Sequence, residues 1–466
     1  MTPTYFLSRD FFLRFLSAIY CIAFISLGVQ IGGLIGERGI LPAVSFLKAV
    51  KEQWGPARYW VLPTLCWFNS SDSFLKFLCF LGALLSLLSM TGFCRAPILF
   101  LLWVLYLSLV TVGQDFMEFQ WDSLLLEAGF LGIFLAFSPR ALWLLRWLLF
   151  RLVFSSGAVK LASGDPSWRN LTALHFHYET QPLPTCIGWY FHQLPGWFQT
   201  LSVAVMFGIE LVVPFFIFFT SRFRLAAAFF LIVFQILIAA TGNYCFFNLL
   251  AIALCVLLID DATWRKDKPS IFQPKEGSSW WLVPLAVVMM TVTSIQMAGL
   301  LRIKIRWPRP MIALYQGVAP FRSINSYGLF AVMTTTRPEI IVEGSNDGKN
   351  WLAYEFKWKP GDLKKHPAFV APHQPRLDWQ MWFAALGSYR ENPWLVSFIE
   401  RLLEGRQEVL ELLGKNPFPA KPPRYIRAQI YEYRFTDWGT QYLEKKWWRR
   451  EFKGSYLPVL SRRQGP

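Results

Sequence analysis

The sequence predicts a polytopic α-helical membrane protein of about nine spans, followed by a β-rich α+β exported domain. Three observations predict it. The 466 residues are 54% hydrophobic and 17% aromatic, and their mean hydropathy is positive. Only 16% are charged, against about 25% in soluble proteins, and the deficit lies in the first ~300 residues. Of the formal net charge of +16, most sits at the other end: residues 302–466 hold 27 Lys+Arg against 15 Asp+Glu. The expected division is therefore a membrane domain, 1–301, and a basic exported domain, 302–466. A basic surface of this kind suits an anionic membrane or an acidic partner. No nucleic-acid module is legible, so the expected partners include the lipid bilayer and exclude nucleic acid.

The first span is the run "RDFFLRFLSAIYCIAFISLGVQIGGLIG", too long for the core of a signal peptide and without a convincing cleavage site. Further candidate spans fall near 74–90, 96–113, 119–138, 141–161, 198–220, 224–241, 244–259 and 279–301. The patch "YWVLPTLCWF" at 59–68 suits an interfacial or re-entrant segment. On the N-terminal side the short loops carry Arg9, Arg95, Arg140, Arg222, Arg224, Arg265, Lys266, Lys268 and Lys275. The opposite side carries few, the loop with Arg38, Lys48, Lys51 and Arg58 apart. That asymmetry predicts a cytoplasmic N-terminus, and nine spans then place the C-terminal domain in periplasm or lumen. The seven cysteines form neither a CxxC nor a ladder of spacings, which argues against a disulfide framework.

The last third changes period. "YGLFAVMTTTRPEIIVEGSNDGKNWLAYEFKWKPGD" reads as strands, with Leu352, Tyr354, Phe356 and Trp358 on one face. "SNDGKN" is a hairpin signal, since Asp-Gly tolerates positive φ. "RLDWQMWFAALGS" and "PWLVSFIERLLEGRQEVLELLGKNP" read as helices, the second ending at Gly414. "RYIRAQIYEYRFT" returns to strand.

Charges inside the spans are the candidate functional groups. Gln120 and Glu127 share a helix face, Asp122 lies near the outer end of that helix, Arg151 is mid-span in the next, and Glu210 in the one after. A charge in hydrocarbon costs several kcal/mol unless paired, so Glu127, Arg151 and Glu210 are expected to form one buried cluster. It serves either helix packing or a reaction or transport path. Lys160, at the end of "FRLVFSSGAVKLASGD", is a snorkelling lysine or, partly buried, a base. The stretch "LHFHYETQPLPT" holds His175, His177, Tyr178 and Glu179, stiffened by Pro182 and Pro184. It is read as an ordered lid, or as the wall of a catalytic cavity with Lys160 at its floor. The candidate catalytic set is thus Lys160, His175, His177 and Glu179. His-x-His points two ways on a strand and nothing completes a tetrahedral set, so no metal is expected. His373, Arg376, Asp378, Trp379 and Trp382, in "APHQPRLDWQMWF", are candidates for a client-binding surface, with core packing the alternative for the tryptophans.

Four stretches together carry a family resemblance: "GQDFMEFQWDSLLLEAGFLGIFLAF", "WRNLTALHFHYETQPLPTCIGWYFHQLPGWF", "YGLFAVMTTTRPEIIVEGSNDGKNW" and "APHQPRLDWQMWFAALGSYRENPWL". The chain resembles the lipase maturation factor family in all four, in order, across nearly its whole length. The resemblance implies a membrane-anchored, chaperone-like protein of the secretory pathway that matures exported clients, lipases among them. No nucleotide loop, metal ladder or Ser-His-Asp pattern is legible, so no cofactor is expected and a non-enzymatic factor is preferred over an enzyme. The resemblance implies the endoplasmic reticulum membrane for a eukaryotic chain. No C-terminal retention signal is visible and the loops are compact, which favours a bacterial-type member in the cytoplasmic membrane. The membrane part is also distantly similar to the vitamin K-dependent carboxylase at "SGAVKL", Gly157 and Lys160. That likeness implies the alternative, a membrane-embedded carboxylase-like enzyme acting at the outer face.

Overall fold

The computed structural model describes residues 4–264 and 279–461. Lys266, Lys268, Lys275 and Arg265 of the loop-charge argument lie outside these residues. Eight described helices are long and apolar enough to cross a membrane. They contain α1 (Phe6–Gly28), α2 (Asp72–Met90), α3 (Arg95–Val112), α4 (Gln120–Phe137) and α5 (Leu142–Ser163). After the short helix α6 (Leu174–Thr180) come α7 (Gly196–Leu211), α8 (Ser221–Thr241), the ten-residue α9 (Phe247–Val256) and α10 (Leu282–Leu300). The helices start where local chemistry permits. The Ser71 hydroxyl accepts from Phe74 N, with Asp72 in the first turn of α2, which offsets orphan amides and the helix dipole.

Contacts at the helix ends define two faces. On one, Asp261 accepts from the Phe6 and Leu7 amides at 2.8 and 2.9 Å, Arg95 pairs with Asp10 at 2.5 Å, and Arg9 donates to Ala136 O at 2.8 Å. On the other, Gln30 Nε2 donates to Gln374 O at 2.7 Å, and Asn243 Nδ2 donates to Ala368 O at 2.8 Å. The segment from Asn243 to Asp261 therefore joins the same two faces as α1, although its helix α9 has only ten residues. It crosses because it is buried against α1 and α8, where protein rather than lipid surrounds its irregular ends. Among the described residues eight helices are thus long enough to span, the buried 243–261 segment runs between the same two faces, and the C-terminal domain sits on the face opposite the N-terminus. "YWVLPTLCWF" makes only short turns, Arg58–Val61 and Leu65–Trp67.

The C-terminal domain is α+β. Strands β1 (Arg337–Ser345), β2 (Leu352–Ala353), β3 (Glu355–Phe356), β4 (Leu413–Lys415), β5 (Tyr425–Phe435) and β6 (Trp448–Ser461) form an antiparallel sheet, ordered β2-β1-β5-β6, and a small β3-β4 ladder. Ile340 pairs with Ile430 and Val342 with Ala428. This places apolar side chains against α11 (Arg376–Ala385) and α12 (Pro393–Glu404). The expected hairpin forms. Asp347 Oδ1 accepts from the Lys349 and Asn350 amides, both at 2.8 Å, and Gly348 takes φ +72°.

Three expectations need correction. Strand begins only at Arg337, not at Tyr327. The 352–358 run divides between two sheets: Tyr354 and Phe356 are buried, but Leu352 is half exposed. The second helix ends at Gly405, in the left-handed region at φ +70°, where glycine carries no Cβ penalty. Gly414 lies in β4.

Candidate functional site

The end of α4 docks the C-terminal domain. Buried Asp122 accepts from Arg376 Nη2 at 2.8 Å and Nη1 at 2.9 Å, and from Tyr106 OH at 2.5 Å. Arg376 Nη1 also reaches Phe116 O at 2.7 Å, so the fork that grips the carboxylate bidentately is tied to the bundle backbone as well. Around it, Gln30 Oε1 accepts from Arg376 N at 3.0 Å, and Ser26 Oγ lies 2.9 Å from His373 Nδ1. Asp378 Oδ1 accepts from Trp358 N and Lys359 N at 2.8 and 2.9 Å. Trp379 is buried against Trp121 and Phe119, and Trp382 Nε1 donates to Thr180 O at 2.9 Å. Against the expected client surface, Arg376, Asp378, Trp379 and Trp382 are buried and His373 is half-buried. His373, Arg376, Trp379 and Trp382 join the domain to the bundle, while Asp378 ties α11 to the 358–359 backbone of its own domain. Asp122 likewise belongs here and not to a mid-membrane cluster.

The expected cluster of Glu127, Arg151 and Glu210 divides in two. Arg151 pairs with Glu127. Glu127 Oε2 also accepts from Tyr327 OH at 2.7 Å and Asn325 N at 2.8 Å, and Arg151 Nη1 donates to Asn325 O at 2.8 Å. Gln120 Oε1 accepts from Gly328 N at 3.3 Å. The shared face of Gln120 and Glu127 is real, and it grips the 325–328 linker that leads into the C-terminal domain.

Glu210 pairs instead with Lys160. Lys160 Nζ lies 2.9 and 2.7 Å from the two carboxylate oxygens and 3.1 Å from Ser156 O. Its three protons thus have three acceptors, and its charge stands 5.3 Å from the Trp168 ring. Lys160 is buried, which corrects the snorkelling reading. Gly157 permits the approach of α5 and α7, since a Cβ there would meet Glu210 Cβ at 2.9 Å.

This pair lines a cavity of about 490 Å³ between α5, α7 and α8, roofed by His177 and Tyr178, and Leu152 and Val153 carry the lining deeper along α5. The roof is helix α6, not a loop. Tyr244 OH donates to Gln181 Oε1 at 2.9 Å and lies 3.2 Å from His177 Nε2. The hydroxyl's one proton is used on Gln181, so Nε2 carries a proton and donates to Tyr244. Burial and the nearby Lys160 charge hold His177 down at about 4, so the ring is neutral at physiological pH. Glu179 faces away, accepting from Phe435 N at 2.9 Å, with His192 Nε2 at 3.7 Å. The His175 ring lies against Gly196. Of the four candidate catalytic residues, the cavity gathers only Lys160 and His177. Among the described residues no three His, Cys, Asp or Glu converge as metal ligands.

Sequence reasoning missed Tyr244 and Asn243, whose "GNY" reads as a bare turn, and the buried Arg337–Glu339–Lys359 chain at 2.8 Å per pair. Arg337 and Glu339 stand two apart in a strand, on one face. That spacing, inside an apolar run, was the available signal.

The comparisons cover both parts of the chain. The lipase maturation factor transmembrane domain matches residues 7–266, and the lipase maturation factor C-terminal domain matches 323–458. Lipase maturation factor 2 of Xenopus laevis is 36% identical, over 97% of this chain and 82% of the relative. The protein of that name from Homo sapiens is 36% identical, over 98% and 83%. Lipase maturation factor 1 of Bos taurus is 36% identical, over 98% and 90%. No solved structure matches.

Proposed function

The chain belongs to the lipase maturation factor family, and from that premise we propose that it is a membrane-anchored maturation factor for exported clients, lipases by kinship. The observation that carries the proposal is that the family match continues through both the membrane part and the docked domain. The site's geometry supports a holding role over a catalytic one. Lys160 Nζ is fully engaged by Glu210 and Ser156 O, and His175 and Glu179 stand outside the cavity. Nothing in the comparisons lends support to the carboxylase-like alternative.

In our reading the basic C-terminal domain faces periplasm or lumen and the N-terminus faces the cytoplasm. The support is the charge of Arg9, Arg95, Arg140, Arg222 and Arg224 on the N-terminal face. The preferred location is a bacterial cytoplasmic membrane, with the endoplasmic reticulum its eukaryotic counterpart. Exposed Arg449 and Lys453 on β6 give the outer domain a charged surface toward a client.

The test is co-expression of a secreted lipase with the intact chain or with a chain ending before Arg337. The expected result is several-fold more active secreted lipase with the intact chain, at equal lipase synthesis, and recovery of the lipase by cross-linking to the C-terminal domain. Equal lipase activity with both chains, and no cross-link, would overturn the proposal.

A further inference from the structure

The cavity beside Lys160 and Glu210 is mostly apolar, with walls such as Leu152, Ile209 and Phe234. Its opening is lateral. Leu201 and Val205 on α7 and Leu237 on α8 line it, yet they are 53%, 52% and 49% exposed. The same side chains therefore form the cavity's mouth and the bundle's outer surface. In a bilayer that surface meets hydrocarbon.

The occupant follows from charge, size and depth. Lys160 and Glu210 neutralise each other, so the lining offers no net charge to a ligand. The volume of about 490 Å³ falls in the usual range of small-molecule sites. A transmembrane segment of a client does not fit. A helix about 10 Å across would fill roughly 1,000 Å³ over this depth. Along α7 Glu210 lies nine residues, roughly 13 Å, from Leu201. That is close to one leaflet, about 15 Å of hydrocarbon.

We propose that this cavity binds one fatty acyl chain of a membrane lipid, which enters sideways between α7 and α8 and runs past the Lys160–Glu210 pair toward Leu152. The bound part is uncharged, and the headgroup stays at the outer face near α6. The assignment does not rest on the client reading: a chain-binding cavity would stand even if no lipase were matured.

The experiment uses the full chain in phosphatidylcholine vesicles whose acyl chain carries a terminal diazirine, with diazirine-bearing palmitic acid as a parallel arm. After photolysis, adducts should concentrate on Leu152, Ile209 and Phe234, at least fivefold above exposed Phe80 and Leu84 of α2. Ser202→Trp, which fills the cavity from its α7 wall, should lower those adducts at least fivefold while the protein stays monodisperse. Should that variant fail to fold, Ser202→Leu and competition by unlabelled lipid take its place. Labelling in the acid arm alone would identify a free fatty acid as the source of the chain. Adducts spread in proportion to exposure, or unchanged by both variants and by competitor, would overturn the proposal.

Discussion

The α3–α4 side of the bundle and the α7–α8 side solve the same problem differently. Both bury an acid and a base in surroundings of low dielectric. On the first side the spans are 72% and 67% buried, against 33% and 28% for those of α7 and α8, so the first is protein core and the second faces lipid. In the core, Tyr20, Phe24 and Tyr106 pack edge to face, and the Tyr20 hydroxyl passes over Gly129, where a Cβ would sit 1.8 Å from it. Asp122 there answers to Arg376 and Tyr106, and Arg376 to Phe116 and Gln30. On the lipid side, Lys160 and Glu210 answer chiefly to each other, with a cavity beside them. The contrast teaches that a buried pair need not mark catalysis. One pair stitches two domains together, and the other renders a cavity lining neutral.

The largest expected effect tests the stitched side. Arg376→Ala leaves Asp122 charged and buried and removes the fork that reaches the bundle. It should cost about 3–5 kcal/mol, read as a large drop in melting temperature in detergent and as protease release of the C-terminal domain. A variant as stable and as protease-resistant as the parent would break the comparison. Arg151→Ala comes next. Glu127 keeps Tyr327 and Asn325, so the loss should be smaller, about 2–3 kcal/mol. Equal or greater loss than at Arg376 would show that the linker, not the domain interface, carries the coupling.

The smallest effect sharpens the lipid side. His177 has a folded pKa of about 4, below its ordinary 6.5. Between those values the unfolded chain binds more protons than the folded one, so stability rises with pH. The contribution is fully present above pH 6.5 and is lost as pH falls toward 4. His177→Gln should lower the slope of melting temperature over that window without abolishing it, since burial also holds His192 and His373 below the ordinary histidine value. An unaltered slope in the variant would place the titration elsewhere.

Much of the architecture was legible in the residues. Apolar length marks the eight long spans, because hydrocarbon demands a satisfied backbone over its whole thickness; it does not mark Phe247–Val256, which is too short. Asp-Gly marks the hairpin, because its turn needs positive φ at Gly348. The spacing of Gln120 and Glu127 marks one helix face. Less legible were elements whose form depends on partners. Leu352–Phe356 alternates like one strand but is shared between two sheets, and Gly414 resembles a helix stop but pairs with β3.

What the sequence determined by itself was local: which segments cross, where chains turn, and which charges had to find partners in the membrane. Which partner each charge found was decided only in three dimensions. Glu210 lies 50 residues from Lys160, and Asp122 lies 254 from Arg376. The Coulomb attraction that pairs them depends on distance in space and on the medium between, neither of which is written along the chain. For the same reason Gln374, Arg376 and Asp378 of "APHQPRLDWQMWF" are buried: the bundle supplies Asp122, Gln30 and Ser26 to meet the first two.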